Sequence, residues 1–161
     1  MQQKELRLLF EEYSSAQELA AGDAALLAAA RDTTVHAYAP YSHFRVGAAA
    51  RLVNGATVTG TNQENASYPA GICAERTLLS VAATQYPGVA IETLAISYDN
   101  EYGASDRPIA PCGICRQSLQ EFEQRTGSAM RIVLAGQTGK VVVLNQSGIL
   151  LPFAFSADEL K

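Results

Sequence analysis

Along the chain, stretches with the three-to-four-residue apolar spacing of helices alternate with short apolar runs that suit strands. The pattern predicts helices over residues 74–85 and 113–125, and strands over 92–98, 131–135 and 140–144. Two further apolar runs, 45–53 and 57–62, flank Asn54-Gly55, a dipeptide that supplies the positive φ values of a tight turn and so predicts a hairpin. The run over residues 4–13 is too short for its period to decide between helix and strand, and is assigned as a strand. Ser15 followed by Glu18 matches a capping box for a short helix. Asp23 is placed to cap a second helix over residues 24–38, strongly helix-forming in its LLAAAR stretch and ended by Pro40. The polar segment 99–107 is expected at the surface. Alternating elements of this kind predict an α/β fold, a three-layer α-β-α sandwich with a central mixed sheet of about five strands.

Composition narrows the class. At 161 residues, 48% hydrophobic and 17% charged, the chain is long enough for one domain with a substantial core and carries apolar surface that can pack between subunits. The net charge of −4 gives no electrostatic basis for gripping a phosphate backbone, so nucleic acid is not an expected partner. The N-terminal MQQKELRLLFEEY lacks the basic head and apolar stretch of a secretory signal, and no run reaches membrane-spanning length. A cytoplasmic location without membrane attachment is the expectation.

Three cysteines, an odd number, do not suit a disulfide framework and direct attention to their spacing. Cys112 and Cys115, three apart at the start of a helix, present both sulfurs to one side, and Cys73 opens another helix. Together they supply three ligands for a tetrahedral Zn²⁺ and leave a fourth position open, as catalytic rather than structural sites do. Redox chemistry and three small buried hydrophobes are the rival accounts. Glu75, two residues after Cys73, can reach a metal-activated water without ligating, which suits a proton-carrying acid/base; alternatively it is an ordinary first-turn carboxylate. Three thiolates on Zn²⁺ leave a formal charge of −1, and two helix N-termini and Arg76 are the nearest compensation, although a surface salt bridge would account for Arg76 as well. His36 and His43 lie in neither cysteine segment.

The segments CAE (73–75), PCGIC (111–115), YSHFRVGAA (41–49) and NQENASYP (62–69) resemble, in order and spacing, those of the cytidine deaminase family, over roughly residues 24–155. The resemblance implies that Cys73, Cys112 and Cys115 hold zinc, that a zinc-activated water attacks C4 of a pyrimidine nucleoside, and that Glu75 moves the protons. It implies that backbone near Ala74 orients the base. It makes Phe44 an aromatic wall against the base, where spacing alone suggests a core Phe. Asn62 and Glu64, two apart on an extended segment, share a face and offer a donor/acceptor and an acceptor, which suits a ribose hydroxyl; in the family this is the 3′-hydroxyl, and a capped strand end is the alternative. Phe155, with Phe153 as a rival, resembles an aromatic that closes the neighbouring subunit's site in small homotetrameric members. Residues 1–23 form an addition absent from the shortest members, and Arg45 and Ser67 depart from the common Pro and Cys. Blasticidin-type and polynucleotide deaminases, a structural zinc module and a catalytically dead nucleoside binder are the competing functions. The first lacks the Asn/Glu pair, the second requires a basic surface, and the third requires a fourth ligand.

Overall fold

Gly55 adopts a φ of 86° and Asn54 Oδ1 accepts the Ala56 N–H at 3.0 Å, closing the turn between β2 (Phe44–Leu52) and β3 (Thr57–Thr61) as the Asn-Gly signal predicts. The computed structural model describes residues 1–160. In it β2 also pairs antiparallel with β4 (Ile91–Asn100), which runs parallel to β5 (Arg131–Ala135). Antiparallel partners β6 (Val141–Leu144) and β1 (Glu11–Tyr13) complete a mixed sheet in the order β1-β6-β5-β4-β2-β3.

Period-two alternation along the strands feeds two cores. Ala48, Leu94 and Ile132 point to the face covered by α2 (Ala74–Gln85) and α3 (Gly113–Thr126), where they meet Leu78, Leu119 and Phe122. Their neighbours Ala49, Ala95 and Val133 point to the opposite face and meet Leu26, Leu27 and Ala30 of α1 (Ala21–Thr33). The result is the expected α-β-α sandwich, with six strands rather than about five. Of the run assigned as a strand over 4–13, only the end, Glu11–Tyr13, joins the sheet. Only these three residues find partners, because β6 offers Val141 to Val143 there and ends at Leu144.

Three local expectations shift. The Ser15 hydroxyl makes no cap hydrogen bond; Glu18 instead reaches back to accept the Ser14 N–H at 3.1 Å. The second helix begins at Ala21 with Ala20 at its N-cap, so Asp23 sits inside the first turn. There the carboxylate is drawn to two arginines: Arg131 Nε donates to Oδ2 at 3.1 Å and Arg51 Nη2 to Oδ1 at 3.4 Å. Asp23 is thus a buried node tying α1 to β2 and β5. The same helix stops at Thr33 rather than residue 38, tightening into a 3-10 turn over Thr34–His36 as Thr34 Oγ1 donates to the Arg31 carbonyl at 2.7 Å.

α2 lies unusually close to the sheet at Gly60. A Cβ there would stand 2.5 Å from the Leu78 nitrogen and 2.6 Å from the Ala74 oxygen, both helix backbone. This contact sets the height of the whole first turn of α2. Gly60→Ala is expected to destabilise the fold by about 1–3 kcal/mol, read by urea unfolding, and to displace the α2 N-terminus. An unchanged midpoint would mean that the helix has room to move.

Candidate active site

Cys73 is the N-cap of α2, Cys112 is the N-cap of α3, and Cys115 lies in the first turn of α3. Neither N-cap thiol makes a capping hydrogen bond, so both sulfurs are free to turn toward the gap between the helix starts. Cys73 and Cys112 sulfurs stand 3.8 Å apart, those of Cys112 and Cys115 3.4 Å, and all three lie within 4.8 Å of one another. Tetrahedral zinc with Zn–S bonds of about 2.3 Å holds its sulfurs about 3.8 Å apart, so donor type and spacing fit that ion. Among the described residues no other group of three or more metal-ligating side chains comes together, and neither histidine joins this one.

The electrostatics of the cluster are uneven. The Cys73 thiol is lowered to about 6, chiefly because the neighbouring Cys115 thiol hydrogen-bonds its thiolate, against the opposing effect of burial; Arg76 charge makes the smallest contribution. Cys115 moves the other way, raised far above an ordinary thiol by that same neighbour and by burial. Glu75 is only 5% exposed, and burial pushes its carboxyl upward against a backbone hydrogen bond and the Cys115 thiol. A buried carboxyl displaced upward in this way is a better proton acceptor than an ordinary carboxylate, as an acid/base group requires.

The cluster opens into a cleft of about 710 Å³ whose walls include Phe44, Asn62, Glu64, Ala74 and Glu75 as well as Cys73 and Cys112. Phe44 is backed by Tyr98, with ring centroids 4.8 Å apart and planes 14° from parallel, so its other face is left to the cleft. A bridge formed by the Gln63 and Ile72 backbones ties the 62–64 segment to the residue before Cys73. Asn62 Oδ1 accepts the Val46 N–H at 2.8 Å and its Nδ2 donates to the Phe44 carbonyl at 2.9 Å, so this side chain also clamps the start of β2. Glu64 Oε2 accepts the N–H groups of Tyr41 and Ser42 at 2.9 and 3.2 Å. Burial is the largest single influence on Glu64 and pushes its carboxyl up, but the Ser42 and Tyr41 hydrogen bonds and His43 together hold it below the usual carboxylate range.

Two residues singled out in the sequence lie elsewhere. Arg76 lines a separate shallow groove with Phe122 and Arg125 and donates no hydrogen bond to the sulfurs. Phe155 is exposed outside the cleft, its carbonyl accepting Gln117 Nε2 at 2.8 Å. Sequence reasoning passed over Arg116, whose Nε donates to the Pro111 carbonyl at 2.8 Å and Nη1 to the Leu150 carbonyl at 3.1 Å, bracing the segment that carries Cys112. Its position directly after Cys115 was visible, but its distant acceptor was not. Tyr41 and Tyr68, edge to face at 5.9 Å on the rim of the cleft, were passed over in the same way.

Residues 21–130 match the family model described as the cytidine and deoxycytidylate deaminase zinc-binding region. This chain belongs to the cytidine and deoxycytidylate deaminase family. It is 36% identical over 125 residues to a cytidine deaminase of Halalkalibacterium halodurans, covering 78% of this chain and 87% of that one. With a cytidine deaminase of Sporosarcina psychrophila it shares 36% identity over 137 residues, covering 84% and 93%. The fold is similar to the crystal structure of cytidine deaminase from Burkholderia pseudomallei, with a TM-score of 0.71 and 41% identity over 81% of this chain and 97% of that one. All three cysteines, Glu75, Phe44, Asn62 and Glu64 fall inside the matched deaminase region, whereas Phe155 lies beyond it.

In metal-free protein, alkylation should reach Cys73 well before Cys115, its rate rising as pH passes about 6 and the Cys73 thiolate forms. Cys115, held protonated and buried, should resist until the chain unfolds. Peptide mapping after timed iodoacetamide labelling at several pH values measures both, and equal labelling of the two would contradict the uneven electrostatics.

Proposed function

We propose that this chain is a zinc-dependent deaminase that converts cytidine and 2′-deoxycytidine to uridine and 2′-deoxyuridine, releasing ammonia, in pyrimidine salvage. The carrying observation is the buried Glu75 carboxyl two residues from Cys73, opening on a cleft that also presents Phe44, Asn62 and Glu64. Membership of the deaminase family and the names of its relatives support the same reaction. Zinc held by Cys73, Cys112 and Cys115 would supply Lewis-acid activation of a water nucleophile.

The chain's own residues handle the rest. Glu75 takes the water proton on its carboxylate and delivers it to N3, leaving C4 electrophilic for the addition of oxygen. The same carboxyl then carries the second proton to the amino nitrogen, so water enters and ammonia leaves with the protons balanced. Phe44 lies flat against the base, and backbone at Ala74 orients it. Asn62 keeps one N–H and Glu64 keeps Oε1 uncommitted, and these take the sugar 3′-hydroxyl, while their remaining atoms hold the loop in place. Such a contact disfavours 3′-phosphorylated or polymeric substrates. Arg76 acts on the sulfur cluster through its charge alone.

In this reading residues 1–161 form a single deaminase domain with 1–23 as an addition, the active form is a cytoplasmic homotetramer, and Phe155 closes a neighbouring subunit's cleft. Among the described residues no helix is long and apolar enough to cross a membrane, and this reading includes no membrane partner. The acidic net charge of −4 accords with the absence of a nucleic-acid partner.

Glu75→Gln is expected to keep zinc at one per chain and the unfolding midpoint close to the parent, yet to lose turnover of cytidine by about 10³-fold or more. Ultraviolet absorbance of cytidine beside metal analysis reads both, and retained turnover would refute the proton-carrying role. Glu64→Gln should raise KM for cytidine about tenfold with kcat nearly unchanged, since it weakens a contact that ground and transition states share. A loss confined to kcat would place Glu64 in the chemistry instead.

A further inference from the structure

Ahead of β1 the chain carries a run of exposed apolar side chains that the fold does not use. Leu6, Leu8, Leu9 and Phe10 are 59%, 50%, 79% and 59% exposed, and residues 1–10 run into β1 without a helix, turn or bend. Arg7 donates to Glu5 at 3.1 Å, two positions away, the spacing at which side chains share a face of an extended chain. The chain's own sheet cannot pair residues 4–9 of this arm, because Val143 pairs with Glu11 and β6 ends one residue later at Leu144, level with Phe10. β1 is also the outermost strand, so its far edge has no neighbour.

The order of residues in the arm is self-complementary when it is read against a reversed copy. With a two-fold axis at Leu8, the even-numbered face sets Lys4 opposite Glu12, Leu6 opposite Phe10 and Leu8 opposite itself. An apolar centre is thereby flanked at both ends by opposite charges. On the odd-numbered face the acidic groups are already neutralised within each chain, Glu5 by Arg7 and Glu11 by Arg131 at 3.3 Å. Lys4 has no partner among the described residues, while Glu12 uses only Oε1, toward Lys140. A shift of one residue keeps Lys4 opposite an acid, Glu11, and Leu6 opposite Leu9, but sets Glu5 opposite Phe10 and Arg7 opposite Leu8, so the uninterrupted apolar centre favours the register centred on Leu8.

We propose that residues 4–12 of two copies of this chain pair antiparallel about an axis at Leu8, joining their sheets edge to edge. The occupant of the exposed arm is therefore a second copy, added as a strand. This contact is independent of the deaminase assignment, since it uses no residue of the cleft.

Register-specific crosslinking tests it on the full chain. Leu8→Cys places two thiols face to face, whereas Gln3→Cys places them at opposite ends of the ribbon, about 33 Å apart for ten residues of strand. Under mild oxidation Leu8→Cys should form a Cys–Cys dimer, identified by peptide mass spectrometry, about tenfold faster than Gln3→Cys. Adding Lys4→Glu to Leu8→Cys should slow that dimer about threefold at low salt, and further adding Glu12→Lys should restore it. Equal rates for the two cysteine positions would mean that the arms meet in no fixed register, and a charge swap that fails to restore the rate would remove the Lys4–Glu12 pairing; either result overturns the proposal.

Discussion

Three sulfurs and a buried carboxyl gathered at the joined starts of two helices form the arrangement around which the rest of this molecule is organised. Acidic groups this close cannot all ionise unaided: one thiol is lowered to about 6 only while its neighbour is driven upward. Two helix N-termini provide partial positive charge, and a divalent cation is the remaining means of holding three thiolates together. Everything that keeps α2 and α3 side by side therefore bears on the chemistry. Gly60 lets α2 settle onto β3, Leu78 and Leu119 fill the shared core, and Arg116 fastens the approach to α3.

The opposite wall of the cleft is built differently. Asn62 and Glu64 use part of their hydrogen-bonding capacity on the backbones of Val46, Phe44, Tyr41 and Ser42. In the proposed function, recognition and loop architecture thus share the same side chains. Their uncommitted atoms are held in fixed directions, which lowers the ordering that a ligand must impose.

Much of this was legible in the residues because the signals are local. Asn54-Gly55 demands a turn, residues 74–85 and 113–125 repeat with helical spacing, and the two cysteine segments carry their thiols within a few positions of a helix start. What escaped depends on partners remote in sequence. Asp23 resembles a cap until Arg51 and Arg131 arrive from β2 and β5. The 4–13 run resembles a full strand until β6 turns out to be four residues long. Arg116 finds its acceptor in Leu150, and Arg76 lines another groove and makes no hydrogen bond to the sulfurs it adjoins in sequence. No periodicity encodes such meetings, since they are decided by which side chains the completed sheet brings together.

The Asp23 node has a bearing on how the molecule breathes. One carboxylate grips arginines from β2 and β5, and Arg131 also grips Glu11 of β1. Helix α1, the sheet's edge and its centre are thereby braced together, and withdrawing both arginines would strand the buried Asp23 carboxylate without a cation. By contrast, beyond Ser147 the last segment is fastened to α3 by side-chain hydrogen bonds to two backbone carbonyls, those of Leu150 and Phe155. The molecule is built as a braced frame with a lightly tethered C-terminal segment, so opening of residues 150–155 costs less than opening of the frame.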